Sequence, residues 1–341
     1  MIPKFPAPSS LAHRLACMLM SAACLAAWSS AAAEMAPSLS AKLIQVRRIW
    51  DRAPHNAFTD LIVDHDRWFC VFREGLGHVS PDGAVQVLAS ADGQRWESVA
   101  RLTSTNSDLR DPKITRAPDG RLMVTAAGAL HPPAAAKHHS MTWFSDNGRD
   151  WQGPNLVGDP NLWLWRVTWH KGRAYGVGYD TSAEKFIRLY SGSDGKSFET
   201  IVPTLLDTER PNETALVFLP DDRALCLLRR DGQPGHGLLG VSAPPYTGWA
   251  WKDLGQKIGG PCLMRLPDGR LVGAGRLYGG KVRTALFSID ADTGALRELL
   301  SLPSGGDNSY PGLAWHNNRL WVSYYSSHEG KTAIYFAEVQ L

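Results

Sequence analysis

Ser90-Ala91-Asp92-Gly93-Gln94-Arg95-Trp96 returns as Ser145-Asp146-Asn147-Gly148-Arg149-Asp150-Trp151 and, more loosely, as Ser193-Asp194-Gly195-Lys196-Ser197-Phe198. An Asp or Asn followed by Gly makes a tight hairpin turn, because Gly takes positive φ without strain and the side-chain oxygen accepts from nearby backbone N–H groups. The aromatic residue then folds back between neighbouring units. On this reading the acids are turn formers rather than catalysts.

Between these boxes, short β-rich runs recur and no stretch holds a 3.6-residue apolar period. The runs are WFCVFRE (68–74), RLMVTAAG (121–128), RAYGVGY (173–179), RALCLLRR (223–230), RLVGAGR (270–276) and RLWVSYY (319–325). Five of the six follow directly on a turn signal such as Pro118-Asp119-Gly120 or His316-Asn317-Asn318. The segments preceding those turns align if Thr59, Pro112, Thr168, Thr214, Pro261 and Pro311 are equivalent, which gives steps of 53, 56, 46, 47 and 50 residues. Six units of that period, with about four strands each, predict an all-β chain folded as a six-bladed β-propeller. One domain spans residues 34–341, and LIQVRRIW (43–50) is expected to supply the last strand of the sixth unit, so that the two ends of the chain close the ring.

The chain has 341 residues, of which 44% are hydrophobic and 20% charged, values that exclude a disordered, collagen-like or coiled-coil protein. Lys4 and Arg14 precede the apolar run Leu15 to Trp28, which is followed by Ala31-Ala32-Ala33. That order predicts a signal peptide over residues 1–33, too short to span a membrane, and a secreted or periplasmic protein. Removing it takes away two of 36 basic residues and none of 33 acidic ones, leaving 34 against 33. No basic patch remains to argue for nucleic acid, and no segment for membrane insertion. Cys70, Cys226 and Cys262 each sit inside an apolar run, which predicts buried thiols rather than a disulfide framework or a zinc site.

The turn boxes resemble the Asp boxes of the sialidase (neuraminidase) superfamily, and the resemblance in period covers essentially the whole mature chain. In that family a Glu begins the inner strand of the fourth blade and an Arg follows about sixteen residues later, a relation that Glu213 and Arg229 share. A further family Arg comes from the fifth blade, where Arg276 and Arg283 are candidates, and the family's nucleophilic Tyr opens the sixth, where Tyr310-Pro311-Gly312-Leu313 stands. The first unit departs from the pattern. It has His55-Asn56-Ala57-Phe58-Thr59-Asp60 in place of an Arg-Ile-Pro-like motif, with Arg73 and Arg110 as the nearest substitutes. The family's acid/base Asp lies on a loop where this chain offers Glu74 and His78.

The resemblance implies a retaining, exo-acting glycoside hydrolase with Tyr310 as nucleophile, Glu213 as its base and Glu74 as acid, with Asp60 and Asp111 in reserve. A sialoside carries a carboxylate on its anomeric carbon. A neutral Tyr hydroxyl deprotonated by Glu avoids the repulsion that a carboxylate nucleophile would meet, while Arg forks match the substrate carboxylate. Arg73, Arg110, Arg166, Arg229, Arg276, Arg283 and His78 are the candidate binding residues. Trp163, Trp165 and Trp169 alternate around Arg166 and are expected on one strand face, packing between blades. His78, His131, His138 and His139 form no metal motif, and neither metal nor cofactor is expected. Two other readings stand beside the first. Asp60, Asp111 and Glu213 would make a three-carboxylate site for fructosides or arabinosides, Arg110-Asp111-Pro112 resembling the Arg-Asp-Pro motif of fructan-acting glycosidases. A noncatalytic carbohydrate-binding propeller is the third. Each takes a glycan as partner and each suits a monomer.

Overall fold

A computed structural model describes Leu39–Leu341 as a continuous stretch, and the expected signal peptide (1–33) lies outside the described residues. Among the described residues there are 24 strands and no helix, arranged in six four-stranded antiparallel sheets. Five sheets are simple meanders: His55–Leu102, Ser107–Val157, Leu162–Leu206, Pro211–Asp253 and Ile258–Ser301, blades 1 to 5 in order. Blade 6 takes three strands from Asn308–Gln340 and its outermost from Lys42–Trp50, which pairs antiparallel with Ala333–Gln340. The ends of the chain therefore close the ring inside one sheet. That pairing covers the edge of Ala333–Gln340, and Lys42–Trp50 becomes the outer strand of the blade.

The first strand of each blade is innermost, and each contacts the inner strands of the blades before and after it around the axis. The core is correspondingly divided. One apolar cluster lies in each of the six seams, such as Phe69, Val71 and Val87 of blade 1 against Leu109, Val124 and Trp143 of blade 2. A blade is apolar on both faces and buries neither alone, so the seams are the core. Cys70, Cys226 and Cys262 are buried free thiols within these clusters, where burial pushes each thiol pKa up.

The turn boxes hold the seams together from the rim. Asp92 Oδ1 accepts from the N–H groups of Gln94 (2.7 Å) and Arg95 (2.8 Å), Ser90 Oγ accepts from Gly93 N, and Trp96 Nε1 donates to Gly93 O. Ser145-Asn147-Gly148-Trp151 repeats these contacts, and Asp194 repeats the turn. Each box glycine has φ near +70° and abuts the preceding blade: Gly93 faces Phe336, Gly148 faces Phe69 and Gly195 faces Met123. Blade 5 carries a further turn of this kind that the sequence reading passed over. Asp290 accepts from the N–H groups of Asp292 and Thr293, and Gly294 faces Lys252 of blade 4.

At the seam between blades 6 and 1, Gly312 runs against the backbone of Asp60 and Leu61. A Cβ there would lie 2.3 Å from Leu61 N and 2.6 Å from Asp60 C, with no flexible side chain to yield. Gly312→Ala is expected to lower stability by roughly 1–3 kcal/mol, read from denaturant or thermal melts. Gly279→Ala, which meets nothing within 4 Å, is the matched control and is expected to stay within about 0.5 kcal/mol of the parent.

Candidate active site

Every inner strand slips register against its neighbour at the same level. The two residues in the slip oppose one residue of the second strand: Phe58-Thr59, Asp111-Pro112, Trp165-Arg166, Asn212-Glu213, Gly260-Pro261 and Tyr310-Pro311. These are β-bulges, which leave the extra residue unpaired and re-aim side chains. Phe58, Asp111, Gly260 and Tyr310 take the left-handed conformation at φ 62°, 50°, 56° and 50°. Proline follows in three of the six blades, suiting a position where no ladder N–H is needed. The bulges move two of the expected equivalences, from Thr168 to Arg166 and from Thr214 to Glu213. They also break the expected tryptophan face: Trp163 and Trp165, before the slip completes, cluster with Tyr179 and Tyr310, whereas Trp169 packs into the seam between blades 2 and 3.

The bulges of blades 4, 5 and 6 converge on one carboxylate. Tyr310 Oη donates to Glu213 Oε1 at 2.7 Å, Arg229 Nη1 donates to both Glu213 oxygens at 2.9 Å, and Gly260 N donates to Oε2 at 2.8 Å. Arg229 Nη1 also lies 3.0 Å from Tyr310 Oη, and its Nε donates to Asp231. Gly260 is required here, since a Cβ would lie 2.9 Å from the Tyr310 ring on a backbone with φ +56°. Glu213 is buried while Tyr310 is partly exposed, so the phenol fronts the mouth with the carboxylate behind it. Burial, reinforced by the Glu213 charge and opposed by Arg229, holds the Tyr310 hydroxyl well above its ordinary pKa. It loses its proton only to an acceptor already in contact.

From blade 2, the bulge residue Asp111 is buried, and its Oδ1 has no hydrogen-bond partner among the described residues. Burial pushes its pKa up from 3.8 to about 7, with Lys113 pulling down and the Glu213 charge pushing up. This is a carboxyl that keeps its proton near neutrality. Arg276 lies with its guanidinium 5.5 Å from the centre of the Tyr310 ring and donates to Asn308 O.

A third group joins blades 6 and 1. His55 Nε2 (3.1 Å) and His78 Nδ1 (2.8 Å) both face Asp307 Oδ2, and Tyr325 Oη donates to Oδ1 at 2.6 Å. Burial opposes ionisation of Asp307, but these hydrogen bonds outweigh it and hold its pKa far below the usual carboxylate range. The three ligand atoms are close enough to share a metal ion. The Asp307 oxygens are met without one when each ring carries its proton on the nitrogen facing Asp307, and Arg276 lies 3.7 Å from Oδ1.

The other candidates are engaged by partners within the chain. Glu74, expected as the acid, accepts from Trp50 Nε1 at 2.6 Å and faces Arg101, in the wall toward the outer strands. Its neighbour Arg73, alternating to the other face, is fully buried and spent on Asp108, Ser80 and the Gly77 carbonyl. Asp60 stands one residue past its bulge and is paired with Arg166 at 2.9 Å and with Ile114 N. Arg110 is held by Asp108, and Arg283, on the third strand of blade 5, by Glu298 on the fourth. His55, Lys113, Tyr179, Asn212, Asp307 and Tyr325 were not singled out from sequence. The repeated slip, with Pro112, Pro261 and Pro311 marking it, is the signal that points to the residue on its N-terminal side.

No protein-family model matches the chain, and no curated protein matches it in sequence. Solved structures do match in fold. A protein of unknown function from Dyadobacter fermentans superposes with a TM-score of 0.78 at 20% identity, over 89% of this chain and 99% of that one. An α-L-arabinanase from Penicillium chrysogenum, complexed with arabinobiose, gives 0.67 at 15% identity over 87% and 98%. A Trypanosoma rangeli sialidase with 2,3-difluorosialic acid gives 0.65 at 11% identity, over 87% of this chain and 59% of that one. The chain thus has the sialidase-like six-bladed propeller fold that the sequence periodicity predicts.

Proposed function

We propose that the protein is a retaining glycoside hydrolase in which Tyr310 is the nucleophile, Glu213 its base and Asp111 the proton donor. The observation that carries this reading is the 2.7 Å contact from the Tyr310 hydroxyl to Glu213, made on a phenol that fronts the mouth. In the first step the Tyr310 oxygen attacks the anomeric carbon as its proton passes to Glu213 Oε1. The glycosidic C–O bond breaks, and the leaving oxygen takes the Asp111 proton. In the second step Asp111, now a carboxylate, accepts a proton from water; the water oxygen attacks the anomeric carbon and Tyr310 departs, recovering its proton from Glu213. Two displacements at one carbon retain its configuration. Arg229, touching both members of the dyad, spreads the negative charge as it moves between them.

The first choice of substrate is a sialoside, for which a neutral phenol is the nucleophile that a carboxylate on the anomeric carbon would tolerate. That the Trypanosoma rangeli relative in fold was captured as a covalent intermediate with a fluorinated sialic acid supports a covalent route. A specific observation favours a second choice, an α-L-arabinofuranoside. Arg110, Arg229 and Arg276 each already have a chain oxygen in contact, from Asp108, from Glu213 with Asp231, and from Asn308, rather than presenting a bare three-fork clamp. The leader-like N-terminus supports export to the periplasm or medium, where either glycan would be met.

Aryl α-sialoside and aryl α-L-arabinofuranoside hydrolysis decides between the two. On whichever is cleaved, Tyr310→Phe and Glu213→Ala are each expected to lower kcat by about 10³-fold or more, and turnover surviving both changes would sink the mechanism. The donor role of Asp111 predicts that kcat/KM falls as pH rises through about 7. Asp111→Asn is expected to remove that limb and to cost far more on alkyl than on nitrophenyl leaving groups, which need little protonation. Because the folded pKa of Asp111 lies above its unfolded value, its stability contribution is full at low pH and is lost as pH rises toward and past 7. Asp111→Asn should therefore raise Tm at pH 8 by roughly 2–5 °C and change it little at pH 4.

A further inference from the structure

Beside the Tyr310 site, a cleft of about 170 Å³ opens between the ends of blades 3 and 4. Tyr179, Asp180 and Thr181 line it from blade 3, Lys185 from the loop that follows, and Asn212 and Asp231 from blade 4. It adjoins the dyad directly. Asn212 is the bulge residue immediately before Glu213, and Asp231 binds Arg229 Nε at 2.9 Å on one oxygen and Asn212 Nδ2 at 2.7 Å on the other. Tyr179 stacks on Trp163 (centroids 5.8 Å apart, planes at 11°) and stands beside Trp165, whose ring lies 5.6 Å from that of Tyr310. A buried aromatic cluster therefore links Tyr179 of the cleft to the phenol.

Two features of the cleft are unexplained by folding. The Asn212 side chain is fixed by its amide bond to Asp231, yet its Oδ1 is buried without a hydrogen-bond partner. An orphaned buried acceptor costs about 1–3 kcal/mol, so it belongs where a ligand donor meets it. Lys185, half-buried at the rim with φ 59°, makes no side-chain hydrogen bond or ion pair among the described residues, although its backbone N–H is tied to Asp180. Asp180 itself is satisfied by Ser182 and that N–H. A fixed acceptor, a free ammonium donor, a half-engaged carboxylate and an aromatic edge within one small cleft are the complement of a polyhydroxylated ring.

We infer that this cleft is a second saccharide subsite, holding the sugar unit joined to the one at Tyr310 through hydroxyl donation to Asn212 Oδ1 and Asp231 and hydroxyl acceptance from Lys185. The inference rests on the glycosidase reading above, in that it assigns an oligosaccharide rather than a single sugar as the natural substrate.

The test compares an oligosaccharide with an aryl glycoside of the same terminal sugar, sialyllactose or arabinotriose according to which aryl glycoside is cleaved. Asn212→Ala and Lys185→Ala are each expected to lower the ratio of kcat/KM for the oligosaccharide to that for the aryl glycoside by about tenfold, chiefly through KM. A ratio within twofold of the parent in both variants overturns the subsite. Calorimetry of sialyllactose and of arabinotriose with the Tyr310→Phe protein separates this from the parent reading. Binding that Lys185→Ala weakens, in a protein whose unmutated form turns over neither substrate, upholds the subsite and removes the hydrolase. Turnover of both substrates with an unchanged ratio and unchanged binding does the reverse.

Discussion

The Glu213 carboxylate organises the mouth of this propeller. It is buried, and it accepts four hydrogen bonds from three blades: two from Arg229 of its own blade, one from Gly260 N of blade 5 and one from Tyr310 of blade 6. A buried carboxylate needs its partners, because each unmet lone pair in a low-dielectric site is costly. The three partners come from different sheets, so satisfying Glu213 requires that the ring be closed with its blades in register. That closure rests in turn on Lys42–Trp50 completing blade 6 and on Gly312 allowing blade 6 to press on blade 1. The dyad is thus a product of the whole ring rather than of one loop.

The fold was legible in the sequence because its signals are local. Asp92-Gly93, Asn147-Gly148 and Asp194-Gly195 are turns whose hydrogen bonds close within three residues, and the second strands are unbroken apolar runs. Even the closing strand could be placed, since residues 43–50 had no other unit to join. Glu213, Arg229 and Tyr310 were legible through a family resemblance, and they meet in space. What escaped were residues whose importance depends on a one-residue register slip. Counting strand alternation from sequence put Trp169 on one face with Trp163, while the resemblance put Glu74 at the mouth. The bulges undo such counting, since one inserted residue exchanges the faces of everything beyond it. His55 and Asp307 are separated by 252 positions and carry no mutual signal in one sequence.

The mouth is also more nearly neutral than a row of arginines suggests. Arg229, Arg276 and Arg166 each face a chain carboxylate or carbonyl, and Asp307 is clasped by two histidines and a tyrosine. Asp111 is the exception. Its buried oxygen, unpartnered among the described residues, and its pKa near 7 set it apart from Asp307, whose hydrogen bonds hold its pKa far below the usual range. A carboxyl that holds its proton beside an acceptor in contact with a phenol gives the site a donor as well as a base.

The account turns on which atom forms a bond to the sugar. The most direct measurement is mass spectrometry of the protein incubated with a fluorinated glycosyl fluoride of the sugar it cleaves, followed by proteolysis and peptide sequencing. The account predicts a single glycosyl adduct on the Tyr310 oxygen, forming at the rate at which activity is lost. An adduct on Glu213, or steady turnover of the reagent with no adduct on Tyr310, would contradict it.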